Sequence, residues 1–243
     1  MRSFAAFALA ILAFATPAYA MTVQPSVIDM TATGRSAKAA IEVVNTGTKP
    51  LPVEFEISRL ELDVNGGRKQ TPSNGDFLVF PPQAIVKPGA TQVFRVQWTG
   101  EPDLKTGRSY VFSVNQLPVK TKDAKSGIDI VFNFGVIVSV APQNGTSSIR
   151  QVRVESASDE GGVKRPAVTV ENQGTAHAYL SNATIVLESG SWQRSLSGAE
   201  VRQTMGLGLI QPGKQRRFIL PVDLPAAASQ VSARIVYKPK SSE

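Results

Sequence analysis

Residues 128–140 read Ile128-Asp129-Ile130-Val131-Phe132-Asn133-Phe134-Gly135-Val136-Ile137-Val138-Ser139-Val140. Every even position is apolar, whereas the odd positions mix Asp129, Asn133, Gly135 and Ser139 with Val131 and Ile137. A period of two, carried by β-branched and aromatic residues, predicts a β-strand with one continuous apolar face. At about 3.3 Å per residue the run extends roughly 40 Å, about twice an ordinary strand. A sandwich of usual thickness cannot cover all of that face. The expectation is that one end closes its own core and the other offers apolar surface to something else.

Outward from this run, the preceding residues form a basic loop with Lys120, Lys122 and Lys125, and before it a strand from Ser109 to Leu117 closed by Pro118. Further upstream, Phe77 to Phe80 ends at Pro81-Pro82, and Pro88-Gly89 turns the chain into Val93-Phe94-Arg95-Val96. Leu51, Val53, Phe55 and Ile57 alternate against Glu54 and Glu56, but the next apolar positions are Leu60, Leu62 and Val64. That odd jump predicts a bulge or bend near Ser58-Arg59. Asn65-Gly66-Gly67 reads as a turn.

Downstream, 141–146 (Ala-Pro-Gln-Asn-Gly-Thr) breaks the β pattern and reads as a short linker. The second half repeats the style of the first, with apolar runs at Val152–Val154, Ala167–Val170, Ala183–Leu187, Phe218–Val222 and Val231–Tyr237. Gln211-Pro212-Gly213 matches the turn at Lys87-Pro88-Gly89. Strands about ten residues apart, with no convincing helical pattern, predict an all-β chain of two immunoglobulin-like β-sandwich domains joined by a short linker. The expected units are a leader over 1–20, a first domain over 21–142 and a second over 143–243.

The leader is expected from Arg2, the apolar run from Phe4 to Phe14, and the small-x-small site Ala18-Tyr19-Ala20, which predicts cleavage after Ala20 and export. The chain has no cysteine, so packing alone must hold the exported protein together, which suits a bacterial envelope compartment. The formal charge is +7, one less without Arg2. A basic balance favours acidic partners, but export and the lack of basic–aromatic interleaving argue against nucleic acid.

Taken in order, these motifs resemble the periplasmic chaperones of the chaperone–usher pathway. The resemblance rests on Phe80-Pro81-Pro82, Pro88-Gly89, Gln92-x-x-Arg95-Val96 and Val114-Asn115-Gln116-Leu117-Pro118 followed by the long alternating strand. In the second half it rests on Val170-Glu171-Asn172 and Gln211-Pro212-Gly213. It implies a protein of the periplasm that lends a strand to a pilus subunit, itself an incomplete sandwich, and delivers it to an outer-membrane usher. The client-binding donor strand would use Ile128, Ile130, Phe132 and Phe134. No cofactor, metal or small-molecule substrate is implied, and no enzyme activity.

The family pattern also implies a basic pair that grips the subunit's terminal carboxylate. The matching positions here hold Asp29 and Ile137, neither suited to that task. The carboxylate anchor is therefore unknown on sequence grounds, with Arg150 and Arg153 the nearest candidates past the linker and register expected mainly from side-chain pockets.

Other readings are weaker. His177, the sole histidine, sits in a turn-like stretch and would have to serve any histidine-activated nucleophile. Glu54 with Glu56, and Glu61 with Asp63, read as solvated strand faces. The alternative is a secreted structural sandwich, a pilus subunit or adhesin. Such a protein needs a free N-terminal donor segment, and Met21–Met30, interrupted by Pro25, fits that poorly. Trp98 and Trp192, one in each half, are expected in the cores.

Overall fold

A computed structural model describes residues 21–73, 75–118, 131–158, 161–225, 228 and 230–239. The leader, the basic loop, and Ile128 and Ile130 of the expected donor stretch lie outside the described residues.

The first half contains β1 (Met21–Gln24), β2 (Val27–Thr31), β3 (Lys38–Asn45), β4 (Leu51–Leu62), β5 (Arg68–Pro72), β6 (Phe77–Phe80), β7 (Gln83–Val86), β8 (Thr91–Trp98), β9 (Arg108–Gln116) and β10 (Asn133–Ala141). These strands make a four-stranded sheet in the order β1-β3-β8-β6. Facing it is a sheet in the order β2-β10-β9-β4-β5, with β7 also paired to β4. The second half contains β11 (Ile149–Ser158), β12 (Lys164–Asn172), β13 (Ala178–Tyr179), β14 (Ala183–Ser189), β15 (Trp192–Leu196), β16 (Leu209–Ile210), β17 (Gln215–Ile219) and β18 (Ser232–Tyr237). Its larger sheets run β11-β12-β17 and β15-β14-β18, with β13-β16 as a short pair.

Each half has its own core. In the first, Ile41, Val43, Phe94, Val96, Phe112, Val114, Val136 and Val138 interdigitate between the two sheets. Phe77 sits edge-on to Trp98, Tyr110 and Phe112 with ring centroids about 5 Å apart, a geometry that suits the ring quadrupoles. In the second, Val168, Val170, Leu180, Ile185, Leu187, Ile210, Phe218 and Leu220 fill the centre. Trp98 is a core residue, whereas Trp192 is half-buried at the rim of the second cluster.

One turn device recurs in both halves. Asn45 is buried at the end of β3, and its Nδ2 donates to Val86 O (2.9 Å) and Lys49 O (2.8 Å) while its Oδ1 accepts from Gly47 N (2.9 Å). Its carbonyl accepts from Gly89 N (2.8 Å). Asn172 repeats the arrangement at the end of β12, with Nδ2 bonded to Ala176 O and Ile210 O, Oδ1 to Gly174 N, and its carbonyl to Gly213 N. Gly89 and Gly213 both take φ near +70°, which explains a glycine after each proline. The likeness of the two Pro-Gly turns is therefore a likeness of their buried partners.

Two expectations are corrected. The β4–β9 register runs unbroken from Val53↔Gln116 to Leu60↔Ser109, so there is no bulge at Ser58-Arg59. The phase jump marks a change of covered face. Val53 points into the first core, while Leu60, 2% exposed and outside both core clusters, is covered on the opposite face where the second half meets the sheet. The second correction is a helix, α1 (Gly198–Met205). Ser197 caps it by accepting from Glu200 N while Glu200 accepts from Ser197 N, a reciprocal box that the Ser-x-x-Glu spacing encodes.

Candidate functional site

Of the expected long strand, the described part forms β10 from Asn133 to Ala141, with Val131 and Phe132 standing ahead of it. Val136, Val138 and Val140 are fully buried in the first core, whereas Phe132 and Phe134 are half-buried at its rim. On one side β10 pairs antiparallel with β9 over all but its last residue, from Asn133↔Asn115 to Val140↔Arg108. On the other side its partner β2 runs parallel and covers only Ile137 to Ala141.

Ile137 N donates to Ser26 O (3.0 Å), and Gln116 N donates to Phe132 O (2.9 Å). Backbone groups alternate sides along a strand. Those of Phe132, Phe134 and Phe112's partner Val136 therefore face β9, and those of Asn133 and Gly135 face an edge that no described strand pairs with. A short open ladder thus lies beside a half-buried aromatic pair. Free main-chain groups beside half-buried apolar side chains are the general features of an edge suited to strand addition.

The open ladder ends at a cleft between the two halves. A cavity of about 570 Å³ is lined there by Pro25, Ser26, Val27 and Asp29 from the first half, and by Tyr179, Asn182, Arg202, Gly206 and Leu207 from the second. Ile137 pairs with Val27 at this end of β10. Asp29 does not stand as an open negative charge. Its Oδ1 accepts from Tyr179 Oη (2.6 Å) and from His177 Nε2 (2.8 Å). Burial pushes the Tyr179 hydroxyl well above the usual tyrosine range, and the Asp29 charge adds to that shift. His177, expected only as a turn residue, thus joins the two halves. Its importance depends on how the domains dock, which no local pattern reveals.

Arg150 and Arg153 lie on β11, away from the cavity lining. Arg150 is bonded to Glu171, and Arg153 Nη2 to Glu155 Oε2 (2.9 Å). Glu155 also holds Arg217 Nε (2.9 Å). The cation that lines the cleft is Arg202 on α1, exposed and without an acidic partner among the described residues. Of the acidic pairs, Asp63 is spoken for locally. Its Oδ1 accepts from Asn65 N and Gly67 N (2.8 Å each), closing the Asn65-Gly66-Gly67 turn.

Residues 20–145 match the family model described as pili and flagellar-assembly chaperone, PapD N-terminal domain. The chain belongs to this family. It is a family of non-catalytic chaperones of pilus assembly. No curated protein matches the chain. Among solved structures, it is similar to the class 5 fimbriae chaperone CfaA, with 12% identity and a TM-score of 0.55 over 89% of this chain and 98% of that one. It is also similar to a chain of the Salmonella enterica SafA pilin–SafB chaperone complex, with 14% identity and a TM-score of 0.54 over 93% and 96%. A third likeness is to the CsuC–CsuE chaperone–tip subunit pre-assembly complex of Acinetobacter baumannii archaic Csu pili, with 12% identity and a TM-score of 0.52 over 85% and 93%. At such identities these chains share the fold, the two-domain immunoglobulin-like architecture of PapD-type chaperones.

Proposed function

We propose that this chain works in the periplasm, after cleavage behind Ala20, and holds pilus subunits by lending them the front of its long strand. The observation that carries this reading is the open ladder at Asn133 and Gly135 beside half-buried Phe132 and Phe134. Ile128 and Ile130 continue the same face in sequence and would extend the donated row. An incoming subunit strand bonds to the β10 edge, buries its apolar side chains against the even row, and stops where Ser26 closes the ladder. Its end then lies at the cleft, where Arg202 is the cation available to a terminal carboxylate.

Hand-over to an outer-membrane usher is the second half of the reading. Leu78, Phe80 and Val93 are exposed on the solvent face of the four-stranded sheet, on the opposite side of the sandwich from the cleft. That apolar surface supports a second contact which does not compete with the client.

The test is gel filtration of the exported protein mixed with a candidate subunit. A stable one-to-one complex that keeps an otherwise aggregating subunit soluble is expected. A mixture in which the subunit still aggregates, or in which this chain itself polymerises, overturns the reading.

A further inference from the structure

The surface on which the second domain sits is one row across four strands: Leu60 on β4, Ser109 on β9, Ser139 on β10 and Asp29 on β2. Ser109 and Ser139 are buried although they point away from the first core, because the second domain covers them. The two ends of this row are gripped by different side chains. At one end Asp29 takes hydrogen bonds from Tyr179 and His177. At the other, Gln211 donates through Nε2 to Leu60 O (2.7 Å) and accepts through Oε1 from Leu62 N (2.8 Å). The Gln211 carboxamide thereby continues the β4 ladder just past the point where its pairing with β9 ends at Ser109.

Three inter-strand steps separate the two grips, roughly 14 Å at the usual strand spacing. A single contact beside the linker would leave the domains free to pivot. Two grips at opposite ends of a row, with the short linker as a third point, define one orientation. Gly107 N to Thr175 O (2.8 Å) and Arg217 N to Val64 O (2.7 Å) reinforce the same face.

Comparison within the chain isolates the role of Gln211. The two Pro-Gly turns are built alike on Asn45 and Asn172, yet Lys87, before the first proline, is exposed, whereas Gln211, before the second, is 8% exposed. The turn itself does not need glutamine. Asp29 likewise lies outside the first core, and its acceptor bonds go to the second domain.

We infer that Asp29, His177 and Gln211 are positioning residues that set the cleft angle and thereby decide which subunit ends the cleft admits. Asp29 and Tyr179 both line the cleft cavity, so the bond between them fixes the distance between its two walls. As an ionised carboxylate Asp29 only accepts, so Nε2 of His177 donates, and glutamine at 177 can supply a donor amide in its place. The inference rests on the proposed client binding only for its consequence, since the orientation can be read on the free chaperone.

The experiment measures residual dipolar couplings on the full-length exported protein and on Gln211→Ala, Asp29→Ala, His177→Ala and His177→Gln, together with subunit affinity. In the wild type one alignment tensor should fit both domains. In Gln211→Ala, Asp29→Ala and His177→Ala each domain should keep its own couplings and amide shifts but require a separate tensor, with subunit affinity falling about tenfold, and an Asp29→Ala protein still fitted by one tensor would overturn the part given to Asp29. His177→Gln should restore both readouts. Couplings in Gln211→Ala and His177→Ala that superimpose on the wild type overturn the inference, and so does loss of either domain's own fold in both, which would make these residues part of the cores. A wild type that shows one tensor but binds no subunit sinks the proposed function and leaves the orienting role standing.

Discussion

Ile137 N donates to the carbonyl of Ser26 at 3.0 Å, and this bond marks where the outer edge of β10 stops being available. Beyond it β2 completes the sheet, and before it Gly135 and Asn133 present main-chain groups with no paired strand on that side among the described residues. Among the described residues, the same strand thus has two paired neighbours at one end and one at the other.

Gly135 isolates the contribution of the open ladder. A Cβ there would meet only Val111 Cγ1, at an ordinary 3.5 Å, so Gly135→Ala should leave both fold and client binding intact. Gly135→Pro removes the N–H that faces the open edge while sparing the β9 ladder, and proline is tolerated on an edge strand in that orientation. Its expected effect is a client affinity about tenfold weaker, the value of one hydrogen bond, with a melting temperature near that of the alanine variant. Equal client affinity for the two variants in a titration would show that this edge is not used.

The two ends of the apolar row should respond differently to charge. Phe132→Asp exposes little new surface in the free protein but places a carboxylate in the client interface, so binding should be lost while the isolated chain stays folded. Val138, fully buried, should cost about 3 kcal/mol or more as Val138→Asp and unfold the first domain. Thermal melts and a subunit pull-down on both variants separate the outcomes, and an equal loss of melting temperature would remove the distinction between donor and core ends.

The buried even row of β10 was legible because a period of two is a property of the sequence itself, whereas the expected start at Ile128 lies outside the described residues and Val131 and Phe132 precede the strand. The phase jump at Leu60 was equally visible but ambiguous, since a bulge and a change of covered face leave the same pattern. Only the docked second domain decides between them. β5 escaped notice because Arg68–Pro72 is exposed throughout, lies at the edge of its sheet and carries no alternation. α1 is too short to show a period, although its Ser197-x-x-Glu200 box was there to be read. His177 and Gln211 looked like loop residues because their partners lie about 150 positions away.

Alkaline pH should loosen the fold through its buried tyrosines. Burial, and then the Asp29 charge, raise the Tyr179 hydroxyl above its ordinary value; burial, and then the hydrogen bond to Asp76, do the same for Tyr110. A raised folded-state value means that the stabilisation is fully present below about pH 10, where the unfolded chain also keeps its proton. It is lost as pH rises from there toward the folded-state value. Urea midpoints should therefore be flat through neutral pH and fall above about pH 10, by up to about 1.4 kcal/mol per pH unit for each such tyrosine. The fall should be shallower in Tyr179→Phe. A slope unchanged by that substitution would mean that Tyr179 ionises as freely folded as unfolded.

Arg202 carries the last prediction. Among the described residues it is the cation lining the cleft, where the proposed added strand would end, whereas Arg150 and Arg153 on β11 are tied to Glu171 and Glu155. An exposed guanidinium facing a carboxylate is worth about 1 kcal/mol, so Arg202→Ala should weaken binding of a natural subunit about fivefold. The same substitution should leave unchanged the binding of a subunit peptide ending in an amide, which lacks the charge. Arg150→Ala and Arg153→Ala should have no effect on either ligand. Because the cavity has room and Arg202 is a flexible side chain at its rim, a subunit extended by one C-terminal glycine should bind within about threefold of the original, with register set by the side chains packed along β10. A hundredfold loss on that extension would instead reveal a rigid carboxylate grip. A larger effect from Arg153→Ala than from Arg202→Ala would place that grip on the second domain's sheet and away from the cleft.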